Sequence, residues 1–203
     1  MKIKNKIIAL MISLMSIPNL SLAQTKPGEV KVGIDVGYAF ADIDAKNTAQ
    51  AIANATGSTT TATYDEATWM IRPFVSYGYT KEISGELGLF YTGDLDASYR
   101  TASGITASES YKAMGVDLSG VYTFPGGIFV KAGVHYGQLD GNASVRLSSG
   151  ASASVSGYNY GANVLAGAGY ETASGLRVGY TFYNDIGDLA GADFGLLYVG
   201  AKF

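Results

Sequence analysis

The sequence predicts an all-β fold, an eight-stranded antiparallel up-and-down transmembrane β-barrel. Three observations carry that expectation. Apolar residues alternate with small or polar ones along most of the chain, the period-two pattern of strands with two unlike faces. The alternating segments run about ten residues each, the length that crosses a bilayer at a tilt. Their connections switch between tight turns and long polar loops, the asymmetry of an outer-membrane barrel.

The chain begins with Lys2, Lys4 and Lys6, an uncharged apolar run from Ile7 to Ile17, then Pro18 and the small-residue site Ser21-Leu22-Ala23. Basic, apolar and small residues in that order read as an export signal. The run is too short for a membrane anchor, which needs ~20 apolar residues. Cleavage is therefore expected after residue 23, leaving 24–203 as one barrel domain. Loss of the three leader lysines takes the formal charge from −3 to −6.

In the first strand, Val30, Val32, Ile34, Val36 and Tyr38 alternate with Lys31, Gly33, Asp35 and Gly37. In the second, Trp69, Ile71, Val75 and Tyr77 alternate with Met70, Arg72, Phe74 and Ser76. The third sets Ile83, Leu87, Leu89 and Tyr91 against Ser84, Glu86 and Gly88. The fourth sets Met114, Val116, Leu118 and Tyr122 against Gly115, Asp117 and Ser119. The fifth sets Ile128, Val130, Val134 and Tyr136 against Lys131, Gly133 and His135. The sixth sets Tyr160, Val164 and Tyr170 against Gly161, Asn163 and Gly167. The seventh sets Leu176, Val178, Tyr180 and Phe182 against Arg177, Gly179 and Thr181. The eighth sets Leu197, Val199 and Phe203 against Tyr198, Gly200 and Lys202. Short turns fall at 80–82, 125–127 and 171–175, and polar loops at about 42–67, 93–110, 138–156 and 184–192.

The small-residue face belongs inside, because an eight-stranded barrel has room only for a close-packed interior. Threading the strands alternately up and down also zones the apolar face. Tyr38, Trp69, Tyr91, Tyr136, Tyr160 and Phe182 fall near the long-loop end, and Tyr77, Tyr122 and Tyr170 near the short-turn end. Aliphatic residues lie between, so the aromatics form the two interfacial belts of a bilayer protein. The inward phase carries Lys31, Arg72, Lys131, Arg177 and Lys202 against Asp35, Glu86 and Asp117. Charges in a narrow interior must be paired, so these residues are expected to form a salt-bridge network. That network either plugs the barrel or lines a gated path for small ions.

Composition narrows the chemistry. The sequence has no cysteine and one histidine, which leaves no thiol chemistry, no disulfide and no multi-histidine metal centre. The acidic balance gives no footprint for nucleic acid. His135 lies in the inward phase, with no serine two residues on, and a nucleophile–base pair needs hydrogen-bond reach. No catalysis, no cofactor and no metal are expected. The long loops are acidic, with the pairs Asp42/Asp44, Asp94/Asp96 and Asp185/Asp188. They form a solvated rim, or bridge divalent cations to lipopolysaccharide phosphates.

The ending Leu197-Tyr198-Val199-Gly200-Ala201-Lys202-Phe203 resembles the closing strand of the OmpA-like transmembrane domain and its small-barrel relatives of OmpX and opacity type. Arg177-Val178-Gly179-Tyr180 and Asp185-Ile186-Gly187-Asp188 resemble the preceding strand and loop. The resemblance implies a multi-pass protein of a Gram-negative outer membrane, with both termini in the periplasm. It implies that Phe203 is the insertion signal read by the barrel-assembly machinery, and that outer-membrane lipid and lipopolysaccharide surround the barrel. It favours a plug over a pore. The role expected is structural and surface-displaying. A small gated pore, and an adhesin acting on host or surface ligands through the loops, are the alternatives.

Overall fold

The computed structural model describes residues 26–41, 45–186 and 193–203. The expected leader, Asp42, Asp44 and Asp188 lie outside the described residues. The elements are β1 (Val30–Ala41), α1 (Ala45–Thr56), β2 (Thr60–Tyr64), β3 (Ala67–Gly78), β4 (Ile83–Thr92), β5 (Leu95–Thr101), β6 (Thr106–Thr123), β7 (Ile128–Arg146), β8 (Ser152–Glu171), β9 (Leu176–Tyr183) and β10 (Phe194–Lys202).

Eight strands close on themselves in the order β1-β3-β4-β6-β7-β8-β9-β10, every pairing antiparallel. β1 and β10 complete the ring, with Gly33 opposite Lys202 and Ala41 opposite Phe194. Closure leaves no unpaired backbone edge in lipid, the one condition under which strands can span a membrane. The tight turns lie at one end, where the Tyr79, Phe124 and Thr172 amides donate to Ile83, Ile128 and Leu176 carbonyls at 2.7–2.9 Å. Gly175 closes the last turn at φ +85°, and a Cβ there would lie 2.0 Å from the Lys202 carbonyl oxygen. Both facts require glycine.

The other end corrects the expected long loops. β6, β7 and β8 have 18, 19 and 20 residues, about twice the bilayer-crossing length. β5 resumes the path of β4 after Gly93-Asp94 and pairs with β6, Leu95 opposite Tyr111. β2 pairs with β5, Tyr64 opposite Ala97. These five segments make a sheet that rises beyond the closed ring. α1 lies on its inner side, packing Ala45, Ala49 and Ile52 against Ala62, Ala97 and Tyr99. The described parts of the segments 42–67, 93–110 and 138–156 are thus largely helix and strand. Their alternation is real, but it sets Ser and Thr against Ala, too little contrast to read as a strand.

The side chains sort as the alternation predicts. Met70, Phe90, Phe129, Leu165, Tyr183 and Tyr198 fill the interior. Leu87, Leu89 and Leu118 point outward and are each 57% exposed, an aliphatic band that only lipid can cover favourably.

Candidate functional site

The barrel interior is organised around two guanidinium groups. Arg72 on β3 donates from Nε and Nη2 to Asp117 of β6 at 2.8 and 2.6 Å, a bidentate pair. Its Nη1 donates to Asp35 of β1 at 3.0 Å and to Glu86 of β4 at 3.3 Å. Arg177 on β9 reaches across the barrel, donating to Glu86 at 2.6 Å, Asp35 at 3.1 Å and the Tyr198 hydroxyl at 3.3 Å. The Tyr183 hydroxyl donates to Asp117 at 3.3 Å. Towards the short turns, Lys202 pairs with Glu171 at 2.7 Å. Aromatic rings wall the cluster, with Phe74 4.4 Å from the Arg177 guanidinium carbon and Phe129 5.3 Å from it.

Two of the expected network residues stand apart. Lys31 is not in the cluster. Its Nζ lies 3.9 Å from Glu29, and both side chains are partly exposed. It sits four residues nearer the short-turn mouth than Asp35, where water solvates it instead. Lys131 is buried with the others, but its Nζ makes no hydrogen bond to a described residue. It stands 5.5 Å over the Tyr198 ring. Among the described residues the buried charges are Asp35, Glu86, Asp117 and Glu171 against Arg72, Lys131, Arg177 and Lys202, so carboxylates and cations balance there.

Sequence reasoning missed Glu171, placed in a turn, although it continues the inward phase of Gly167 and Gly169 by one step. Glycines that the alternation had already placed on the inward face make room for the network. A Cβ on Gly88 would lie 2.6 Å from Arg72 Nε, and one on Gly200 would lie 2.2 Å from Asp35 Oδ1. His135 is buried towards the mouth away from the short turns. Its Nε2 lies 2.8 Å from the Asn184 carbonyl oxygen. A carbonyl only accepts, so Nε2 carries the proton.

On the lipid-facing surface, Tyr38 lies opposite Trp69 in the β1–β3 register. The Trp69 and Tyr91 rings are 5.6 Å apart, and Tyr136 stacks on Tyr160 at 6.1 Å. Phe182 stands on β9 at the same end. At the short-turn end Tyr77 meets Tyr79 edge-on at 4.9 Å, Tyr122 meets Phe124 at 4.8 Å, and Tyr170 lies opposite Ile128. The last residue, Phe203, donates its amide to the Val32 carbonyl at 2.8 Å while its ring stays 73% exposed.

Above the ring, the inner side of the extension holds a polar knot. The Tyr99 and Tyr111 hydroxyls both donate to Glu109 Oε2, at 3.3 and 3.2 Å. Burial first, and then the Glu109 carboxylate, push the Tyr111 hydroxyl up to about 12. Among the described residues no three acidic or histidine side chains gather into a metal-binding group.

The family model for the outer membrane protein beta-barrel domain matches residues 7–203. No curated protein matches the sequence. Similar solved structures include the outer membrane protein OprG of Pseudomonas aeruginosa, at 11% identity over 88% of this chain and 98% of that one, TM-score 0.49. Another is Ail, the attachment invasion locus protein of Yersinia pestis, in complex with the heparin analogue sucrose octasulfate. It is 14% identical over 86% of this chain and 99% of that one, TM-score 0.46. A third is Neisserial surface protein A, at 15% identity over 85% of this chain and 95% of that one, TM-score 0.37.

Proposed function

The chain belongs to the outer membrane protein beta-barrel domain family, and we propose that it is a closed, non-catalytic barrel that displays a folded extension at the cell surface. The observation that carries this reading is the interior. Its buried charges balance, and Phe90, Phe129, Tyr183 and Tyr198 fill the space around them. A neutral, packed lumen holds strands together and gives a solute no continuous wet path. In this reading residues 1–23 are cleaved, 24–203 form the barrel, and both termini face the periplasm beside the short turns. The acidic, hydroxyl-rich end then faces outward among lipopolysaccharide, where any host or surface ligand meets it first. Phe203, exposed at the end of the closing strand, is the handle for the assembly machinery. His135 is an interior histidine tied to a backbone carbonyl, not a catalytic base.

Two measurements test this together. Outer-membrane fractions are run on denaturing gels unboiled and boiled, and the mature N-terminus is sequenced. A mobility shift on boiling and a start at Gln24 are expected. A soluble periplasmic protein with no shift would replace this reading with that of a lipid carrier whose apolar face points inward.

A further inference from the structure

Above the outer aromatic belt the strands keep their alternation but exchange the character of their faces. The lipid-facing phase of β6 passes from Val116 and Met114 to Lys112, Ser110 and Ser108. On β7 it passes from Val134 and Tyr136 to Gln138, Asp140, Asn142 and Ser144. The register aligns these residues into rows across four strands. One row is Asp96, Ser110, Asn142 and Ser156, and the next is Ser98, Ser108, Ser144 and Ser154. The two rows line a depression of about 500 Å³ on the outer side of the sheet. Ser108 and Ser144 bond each other across it at 2.8 Å. Arg100 and Arg146 flank it above, and Tyr158, 65% exposed, lies below.

From this we infer that the outer face of the extension is a docking surface for the saccharide headgroup of the outer-leaflet glycolipid, lipopolysaccharide. The inference rests on the proposed orientation. Position selects the occupant. The face is continuous with the lipid-covered wall, so whatever stands one layer above the acyl chains lies against it. Asn142 is six residues beyond Tyr136, about 20 Å along the strand at ~3.3 Å per residue, which is past the interface and within the sugar layer. Chemistry agrees with position. Hydroxyls, a carboxamide and a carboxylate offer the mixed donors and acceptors that sugar hydroxyls need. The exposed tyrosine offers a flat apolar ring for a sugar face, and the arginines offer forks for phosphate substituents.

The full mature chain, refolded in detergent, is titrated calorimetrically with the core oligosaccharide released from lipopolysaccharide, free of lipid A. Saturable binding is expected. It should weaken at least tenfold when one row becomes apolar (S98V/S108V/S144V/S154V), a change that favours strand and leaves the boiled-gel shift intact. The inner-face variant Val145→Thr should bind like the parent. No saturable binding by the parent, or equal binding by the row variant, overturns the proposal. Orientation is read separately. The chain has no cysteine, so Ser156→Cys gives a single thiol for a membrane-impermeant maleimide on intact cells. Labelling there supports the outward face. Labelling only after the cells are opened means the orientation is wrong, and the docking surface falls with it.

Discussion

Arg72 holds three carboxylates at once, and that sharing makes the interior intolerant of single losses. Removing one partner of a buried ion pair leaves an uncompensated charge, a cost of about 3–5 kcal/mol. Arg72→Met should therefore destabilise the barrel by that order, seen as a lower urea midpoint for refolded protein in lipid vesicles. Glu86→Ala removes one bond from Arg72 and two from Arg177, yet Phe90, Phe129 and Tyr183 still fill the interior. Its conductance in planar bilayers should stay at baseline. Stepwise current in that variant would instead favour the gated-pore alternative. Gly88→Ala should cost stability too, because its methyl meets a guanidinium that three carboxylates hold in place. On the inner side of the extension, Tyr111 provides a pH readout. Its hydroxyl titrates at about 12 in the folded chain, against 10.0 for an unperturbed phenol. A raised folded value means the stabilisation is complete below pH 10 and is lost as pH climbs towards 12. In a phenolate absorbance titration Tyr111→Phe should remove a late-titrating component. Most of the network was legible because charge in an inward strand phase has nowhere else to go. What alternation could not reveal was pairing, which depends on register. Nor could it show that Lys31 reaches water while Glu171 does not, since that depends on how far each strand continues beyond the closed ring.

At the scale of elements, the aromatic belts follow from the same geometry. Tilted strands with period two bring every second residue to the lipid side, and amphipathic rings settle where hydrocarbon meets headgroup. Trp69 is the only tryptophan in the chain and lies beside Tyr91 at the end of the ring away from the short turns, the end where the proposed reading puts the outer belt. Its fluorescence should be quenched strongly by a nitroxide near the lipid headgroup and weakly by one near the acyl terminus. The reverse order would move β3 deeper than the belt assignment allows. The barrel portions of the strands were legible because large aliphatics faced glycine and serine. The extensions were not, for a physical reason. Beyond Met114 and Tyr136 the outward phase turns polar, while the inward phase becomes mostly apolar, with Ala107, Tyr111, Leu139 and Ala143 around the single carboxylate of Glu109. A fixed rule of apolar outward and small inward fails at the point where lipid stops. The order of residues still recorded strands, but with the faces exchanged. α1 was hidden more deeply, since its sequence, mostly Ala, Asn, Gln and Thr with Ile52 as its one large apolar residue, gains its buried side from Ala62 and Tyr64 of β2 and from Ala97 and Tyr99, supplied by a strand far along the chain.

The whole molecule is a closed ring carrying an open sheet, and the two are stabilised by different means. The ring is tied by backbone closure between β1 and β10 and by buried charges drawn from all eight of its strands. The extension rests on β-pairing and on a small apolar cluster beneath α1. Its β7–β8 hairpin, from Asn142 to Ser156, contributes no residue to the interior cluster of the ring. Deleting 142–156 would join Gly141 directly to Gly157, which already face each other in register between the paired Asp140 and Tyr158. A Gly-Gly dipeptide is a favoured two-residue hairpin loop, because both positions accept positive φ. The shortened chain should therefore insert, close and show the same shift on boiling as the parent, with an unfolding midpoint in vesicles close to the parent's. It should also lose binding to the core oligosaccharide, since half of each hydroxyl row is gone. If instead the deletion abolished the shift, the extension would be part of what closes the ring, and display could not be separated from folding. Retention of both the shift and oligosaccharide binding would place the sugar elsewhere on the wall.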